Sequence, residues 1–230
     1  GKNKMTANFS QFRKHAIKAI EDPQMQNALD KGTENFRNMR NQAFSEVPDF
    51  EFLRDHFKAI RSATLAQLGH HLETFERAAT ETGAQIHWAR NGLEACEIIV
   101  KIAQINKVKL ATKSKSMTTE EINLNEALET AGVNAVETDL GEWIVQLAQE
   151  RPSHIIAPAI HKTRLQVAEL FRKKTGLSLP QDDIPTLTAE ARKILRENFL
   201  AAEMGISGGN IAVAETGSLV LGTNEGNGRL

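Results

Sequence analysis

The chain is short of cysteine, of long apolar runs and of any excess of one charge, and each shortage removes a class of function. It has one cysteine, Cys96, in 230 residues. That excludes an internal disulfide and fits a reducing, cytoplasmic compartment. It also excludes a four-cysteine iron–sulfur cluster held by this chain alone, and no metal site is expected. The longest apolar runs, such as IIVKIA and SLVLG, fall far below the ~20 residues that span a bilayer. The opening stretch GKNKMTANFSQFRKH has no apolar segment of the kind a secretory signal needs. The 28 basic residues nearly cancel the 29 acidic ones, leaving a formal charge of −1. The basic face that nucleic acid demands is therefore not expected. No internal repeat or low-complexity tract interrupts the sequence. A chain of this length suits one domain with an appendage, able to bury roughly 70% of its unfolded surface without staples.

The apolar residues that are present keep two rhythms. Up to residue 82 they recur at spacings of three, four or seven, as in Phe52, Leu53, Phe57 and Ile60, then Leu65, Leu68, Leu72 and Phe75. Breaks fall near Pro23 and at VPDF around Pro48. Residues 1–82 thus read as a helical arm or cap. From Gly83 strands alternate with helices, and residues 83–230 read as an α/β domain with a mostly parallel open sheet flanked by helices. AQIHWA, VKLAT, VNAVET and SHIIAP are its expected strands, followed by a C-terminal hairpin of NIAVAE and SLVLG. The helices between carry start signals: Asn91 with Glu94, Thr118 with Glu121, and Thr163 with Gln166. TAEARKILRENFLAAEMG is expected to be one further helix.

Ligands of an open α/β sheet bind outside the carboxyl ends of its strands. Polar residues gather at those ends. Lys113, Ser114, Lys115 and Ser116 follow VKLAT; Glu137, Thr138, Asp139 and Glu142 close or follow the VNAVE strand; His161 and Lys162 follow SHIIAP; Glu215, Thr216 and Gly217 follow NIAVA. The other rim receives plain loops such as INK and ERP. KSKS ahead of a helix offers charge, hydroxyls and free backbone N–H groups to a carboxylate or phosphate. TNEGNG, with Gly226 and Gly228, is by itself ordinary turn chemistry and neither a Walker loop nor a dinucleotide fingerprint. His70 and His71 are adjacent and make a poor metal pair; His154, Trp88 and Trp143 read as structural. Cys96 lies on an apolar helix face and reads as an inert core thiol.

Four long segments together carry a resemblance: KSKSMTTEEINLNEALE, ETDLGEWIVQLAQERPSHIIAPAIHKTR, LTAEARKILRENFLAAEMGISGGN and AETGSLVLGTNEGNGRL. In this order and spacing the chain resembles the lactate-utilisation iron–sulfur protein family, component B of the L-lactate oxidation system, over nearly its whole length. The shared part is similar to the LUD domain, whose fold resembles the phosphosugar-isomerase and CoA-transferase-like α/β group. The resemblance implies a subunit that helps oxidise L-lactate to pyruvate. It implies partners, one cysteine-rich subunit and one stand-alone LUD subunit. It implies iron–sulfur clusters held by a cysteine-bearing region beyond Leu230, so this stretch is expected to be a portion of a longer, redox-active protein. Carried onto this sequence, the motifs place Lys113, Lys115, Ser116, Glu137, Asp139, His161, Glu215, Asn224, Glu225 and Asn227 at the rim already singled out, with Ser114, Thr216, Gly217 and Gly226 beside them. Lys113 and Lys115 are expected to face Glu215 and Asn224 across it. Relatives of the CoA-transferase type use a glutamate nucleophile, which makes Glu215 or Glu225 catalytic candidates with His161 as acid–base. The alternatives are thus an electron-transfer subunit that binds a small anion, a transferase or isomerase, and a structural docking module.

Overall fold

The computed structural model describes residues 9–154, 157–176, 183–223 and 226–229. Four helices come first: α1 (Phe9–Ile20), α2 (Pro23–Glu46), α3 (Phe50–Ala66) and α4 (Leu68–Glu81). Pro23 sits at the start of α2, where it forfeits no helical bond, and Asp22 caps the turn by accepting from the N–H groups of Gln24 and Met25. At the second break Asp49 adopts left-handed backbone (φ 54°), and Phe44 stacks on Phe50 with ring centroids 4.2 Å apart.

Neither α2 nor α3 contains a buried residue. Met39, Phe52, Phe57 and Leu65 are more than half exposed. The chain presents 16811 Å² of accessible surface, whereas a compact chain of 25.4 kDa presents about 10,300 Å². The first part of α2 does touch the α/β body: a Cβ added at Gly32 would strike the Ile160 side chain.

The α/β part runs α5 (Gly92–Ile105), β1 (Leu110–Lys113), α6 (Met117–Glu121), α7 (Leu124–Thr130), β2 (Asn134–Glu137), α8 (Leu140–Ala148), α9 (Arg164–Thr175), α10 (Ile184–Ala201) and β3 (Met204–Ile206). β4 (Ile211–Val213) and β5 (Ser218–Val220) follow. β1 is the centre of a three-stranded parallel sheet in the order β2-β1-β3, and β4 and β5 form a separate antiparallel pair. Helices cover both faces. Ala135 joins the core of α5 and α7 with Cys96, Ala103, Leu124 and Leu128. The next residue, Val136, packs on the opposite core of α8, α9 and α10 with Trp143, Phe171 and Leu195. That alternation is the pleat of a strand buried on both sides.

Several expected elements differ. AQIHWA forms no strand among the described residues; Trp88 Nε1 instead donates to Glu76 of α4 at 3.0 Å, tying the segment to the arm. Of SHIIAP, Ile155 and Ile156 lie outside the described residues. Its flanks form bends and turns, and the backbone N–H of Ser153 donates to the Pro158 carbonyl at 3.1 Å. The helix expected from Thr118 is two short ones, since Asn123 takes left-handed backbone (φ 55°) between them. The sheet's third strand, β3, comes from EMGI, whose first residues read as helix end. The caps at Asn91, Thr163 and Gly176 form as expected, although the Glu94 carboxylate accepts from the Arg90 backbone N–H at 2.7 Å and closes no box with Asn91.

Candidate functional site

The strand registers bring three carboxyl ends level: Lys113 of β1 lies opposite Glu137 of β2 and Ile206 of β3. Hydrogen bonds then lock the first residues beyond them. Ser114 N–H donates to the Ile206 carbonyl at 2.9 Å. Thr138 donates to the Lys113 carbonyl through both its N–H (2.9 Å) and its hydroxyl (2.7 Å). The hydroxyls of Ser114 and Ser207 meet at 2.7 Å.

Lys113 does not face the rim. It is 1% exposed, and its ammonium donates to Glu137 Oε1 and to Asn125 Oδ1, each at 2.6 Å. Asn125 Nδ2 donates to the same Glu137 oxygen at 2.8 Å. The expected anion-binding lysine is thus neutralised in the interior, and Glu137 is its counter-ion. A buried charge has to be paired in this way to be tolerated.

Lys113 borders a space beside Glu120 and Asn125, whereas Lys115 lines a separate one at the rim. A space of about 450 Å³ is lined by Ser114, Lys115, Ser116, Thr118 and Asp139, by the loop Ser207–Asn210, and by Leu221, Gly222, Thr223, Asn227 and Gly228. Among these described residues Lys115 is the cation and Asp139 the acid. Asp139 caps α8 by accepting from the Glu142 N–H at 3.2 Å. Ser116 caps α6, accepting from the Thr119 N–H at 3.3 Å. With only five residues in α6, the helix end contributes little dipole, so the positive potential here rests on Lys115. Thr223, Asn227 and Gly228 of the TNEGNG stretch line the cavity. Gly226 turns the chain at φ 72°, Thr223 Oγ1 donates to Asn227 Oδ1 at 2.7 Å, and Asn227 Nδ2 donates to Thr138 Oγ1 at 3.4 Å. Asn224 and Glu225 lie outside the described residues. Asn210 Oδ1 accepts from the Gly222 N–H at 2.7 Å and pins the base of the β4–β5 hairpin over the same space.

Behind Lys115 lies a pair of acids that spacing alone did not mark. Glu142 is 3% exposed, and its Oε1 stands 3.3 Å from the Lys115 ammonium. At that distance the contact is a long ion pair. Glu120 of α6 acts on the same carboxyl. Burial, then the neighbouring Glu120, raise Glu142 to about 7, against a smaller opposing pull from Lys115. Two carboxyls in contact hold one proton between them most easily. The sequence signal for this pair was Glu142 at the rim, but only the fold shows that α6 brings Glu120 to it.

The remaining candidates sit elsewhere. Glu215 and Thr216 are exposed at the tip of the β4–β5 hairpin. The tip leans on α4: Gly217 has φ +67°, and a Cβ there would overlap the Ala79 backbone. None of Glu215, Thr216 or Gly217 lines the cavity around Lys115, so the expected meeting of Lys113 and Lys115 with Glu215 does not occur. His161 belongs to a third place. Its Nε2 meets Glu150 Oε2 at 2.8 Å and its Nδ1 meets Ser153 Oγ at 2.7 Å. Lys162 donates to the other Glu150 oxygen at 2.8 Å. Burial raises the Glu150 carboxyl, yet bonds from Lys162 and His161 outweigh it and hold it below its ordinary value. Glu150, His161 and Lys162 line a cleft together with His15, Lys18 and Asp22 of the arm. Among the described residues no group of three or more His, Cys, Asp or Glu is placed to hold a metal ion, and no helix is long and apolar enough to cross a membrane.

The LUD domain family model matches residues 72–230. Among curated relatives, the chain is 42% identical to lactate utilization protein B of Exiguobacterium sp. and 39% identical to that of Oceanobacillus iheyensis, over 95% of this chain and 46% of each relative. It is 39% identical to the uncharacterized electron transport protein YkgF of Escherichia coli, again over 95% of this chain and 46% of that protein. The chain thus spans about half the length of the curated relatives it matches. No solved structure matches it.

Proposed function

We propose that this chain, which belongs to the LUD-domain family, serves lactate utilisation by holding a small carboxylate in the cavity at the carboxyl rim of its sheet. The observation that carries this reading is the placement of Lys115 as the cation among the cavity's described lining residues, surrounded by the hydroxyls of Ser114, Ser116 and Thr223 and the amides of Asn210 and Asn227. Lactate and pyruvate each carry one carboxylate and one adjacent oxygen. One lysine among the described lining residues, with several neutral polar groups, suits one charge plus one polar group better than it suits a dianion. At 450 Å³ the space falls within the ordinary size of small-molecule sites.

In this reading Lys115 sets the carboxylate, and the serine hydroxyls and Asn227 orient the rest. Asp139 and the Glu120–Glu142 pair supply groups that can hold a proton beside it. An iron–sulfur cluster, which the resemblance implies for the longer protein, does not fit these residues. Such a cluster takes about four thiolates, and the one thiol here is buried and donates to the Ile122 carbonyl at 3.3 Å. Electron transfer therefore belongs to other parts or partners. The unpaired apolar faces of α2 and α3 support docking of the arm on another polypeptide of the same system.

The test is a titration of L-lactate, pyruvate and inorganic phosphate followed by amide chemical shifts. Saturable shifts at residues 114–118, 207–210 and 222–228 with the carboxylates, larger than with phosphate, are expected. Shifts absent from these segments at millimolar ligand would contradict the assignment.

A further inference from the structure

Resting on the carboxylate-binding reading, we infer that ligand binding at Lys115 is coupled to uptake of one proton by the Glu120–Glu142 pair, with Glu142 acting as a positioning residue. Three contacts carry this inference. Lys115 lines the cavity from its floor. The same ammonium is the counter-ion of Glu142, 3.3 Å away. Glu142 is itself buried, and Glu120 of α6 acts on its carboxyl. One lysine thus stands between two claimants, the buried acid pair and any anion that enters the cavity.

The charged groups that act on Glu142 are Lys115, from the segment after β1, and Glu120, from α6. Asp139, one turn earlier on α8's own cap, bonds the Glu142 backbone N–H. Lys115 favours the ionised form of Glu142 and Glu120 disfavours it. When a carboxylate enters, it draws on the Lys115 charge and adds a negative charge nearby. Both effects favour the protonated form of the pair. The proton comes from solvent and goes to the Glu142 carboxyl; no bond in the ligand forms or breaks. By linkage, a site that takes up a proton on binding must bind more weakly as pH rises through the pair's titration. Burial and the neighbouring Glu120 push the Glu142 carboxyl up to about 7, so the coupling acts near neutral pH. Binding would be strongest in mild acid and would release its ligand as the pH rises.

Calorimetric titration of L-lactate in buffers of different ionisation enthalpy reads the proton directly. At pH 7.5 the expected result is net uptake of a substantial fraction of one proton per ligand bound, falling toward zero at pH 5.5, where the pair is already protonated. Affinity should fall from pH 5.5 to 8.5 by no more than tenfold per unit. Glu142→Gln should still bind, with no proton uptake and a flat pH profile. Glu120→Gln removes the partner that raises Glu142 and should move the uptake window to lower pH. Binding by the parent without proton uptake, or unchanged uptake in Glu142→Gln, overturns the coupling and leaves the carboxylate site standing. No saturable heat with L-lactate or pyruvate at any pH overturns the site itself.

Discussion

Lys113 and Glu137, opposite one another on β1 and β2, close an ion pair of 2.6 Å in the interior of the sheet. Asn125 of α7 bonds both partners, so the pair ties the central strand, its neighbour and a covering helix into one polar knot. A buried pair contributes little net stability when intact but is costly to break, because the survivor is left charged and unpartnered.

Lys113→Ala and Glu137→Ala should therefore each destabilise the fold, by about 3–5 kcal/mol, the usual cost of orphaning a buried ion. Replacing both by methionine should cost much less than the two single changes summed. Denaturant midpoints of the three variants check this. A single variant within ~1 kcal/mol of the parent would contradict the interior placement, because surface pairs contribute that little.

The rhythm of the sequence made much of this fold legible and left the sheet's third strand hidden. β1 and β2 are short β-rich runs between capped helices, and parallel pairing follows from that alternation. β3 is three residues long and follows α10 with no turn signal, so EMGI reads as a helix end. SHIIAP carries strand-forming residues, yet its Ser153 N–H donates to the Pro158 carbonyl, a bond that composition does not reveal. At the rim, KSKS does not tell which lysine pairs in the interior and which lines the cavity of Ser207–Asn210. Pleat alone would put Lys113 and Lys115 on one face; what separates them is that Lys113 is the last residue of β1 and pairs with Glu137, while Lys115 lies beyond the ladder. Glu215 was misplaced because NIAVA belongs to the separate hairpin and not to the parallel sheet.

The Glu142 carboxyl gives stability a pH dependence with a definite sign. Its folded value is raised to about 7 from an ordinary 4.5. Between those values the folded state keeps a proton that the unfolded chain has lost, so stability falls as pH rises from about 4.5 to 7. Glu142→Gln should flatten that slope. Thermal midpoints at pH 5, 6, 7 and 8 decide it; a parent slope of opposite sign that vanishes in the variant would contradict the burial argument.

Gly217 carries two constraints at once, a left-handed φ of +67° and backbone contact with Ala79. Gly217→Ala should loosen the β4–β5 hairpin from α4 and cost at least 1–3 kcal/mol, the usual range for strained backbone. Faster amide exchange at residues 211–220, with β1 and β2 unaffected, is the expected signature. Exchange unchanged from the parent would show that the hairpin tip does not rest on α4.

Cys96 is 7% exposed and donates to the Ile122 carbonyl, and burial raises its thiol above the ordinary value. Native labelling with a thiol reagent should be far slower than labelling in denaturant. Equal rates would place Cys96 at the surface.

The central claim is that Lys115 holds a small carboxylate at the rim while Lys113 does not, and one affinity comparison addresses it. L-lactate and pyruvate are titrated calorimetrically into the parent and into Lys115→Ala at pH 6.5, with circular dichroism confirming that the variant is folded. The account expects saturable binding by the parent and a loss of about tenfold or more in the variant, since a charge-assisted hydrogen bond contributes ~1.5–3 kcal/mol. Equal affinity in the two proteins would contradict it.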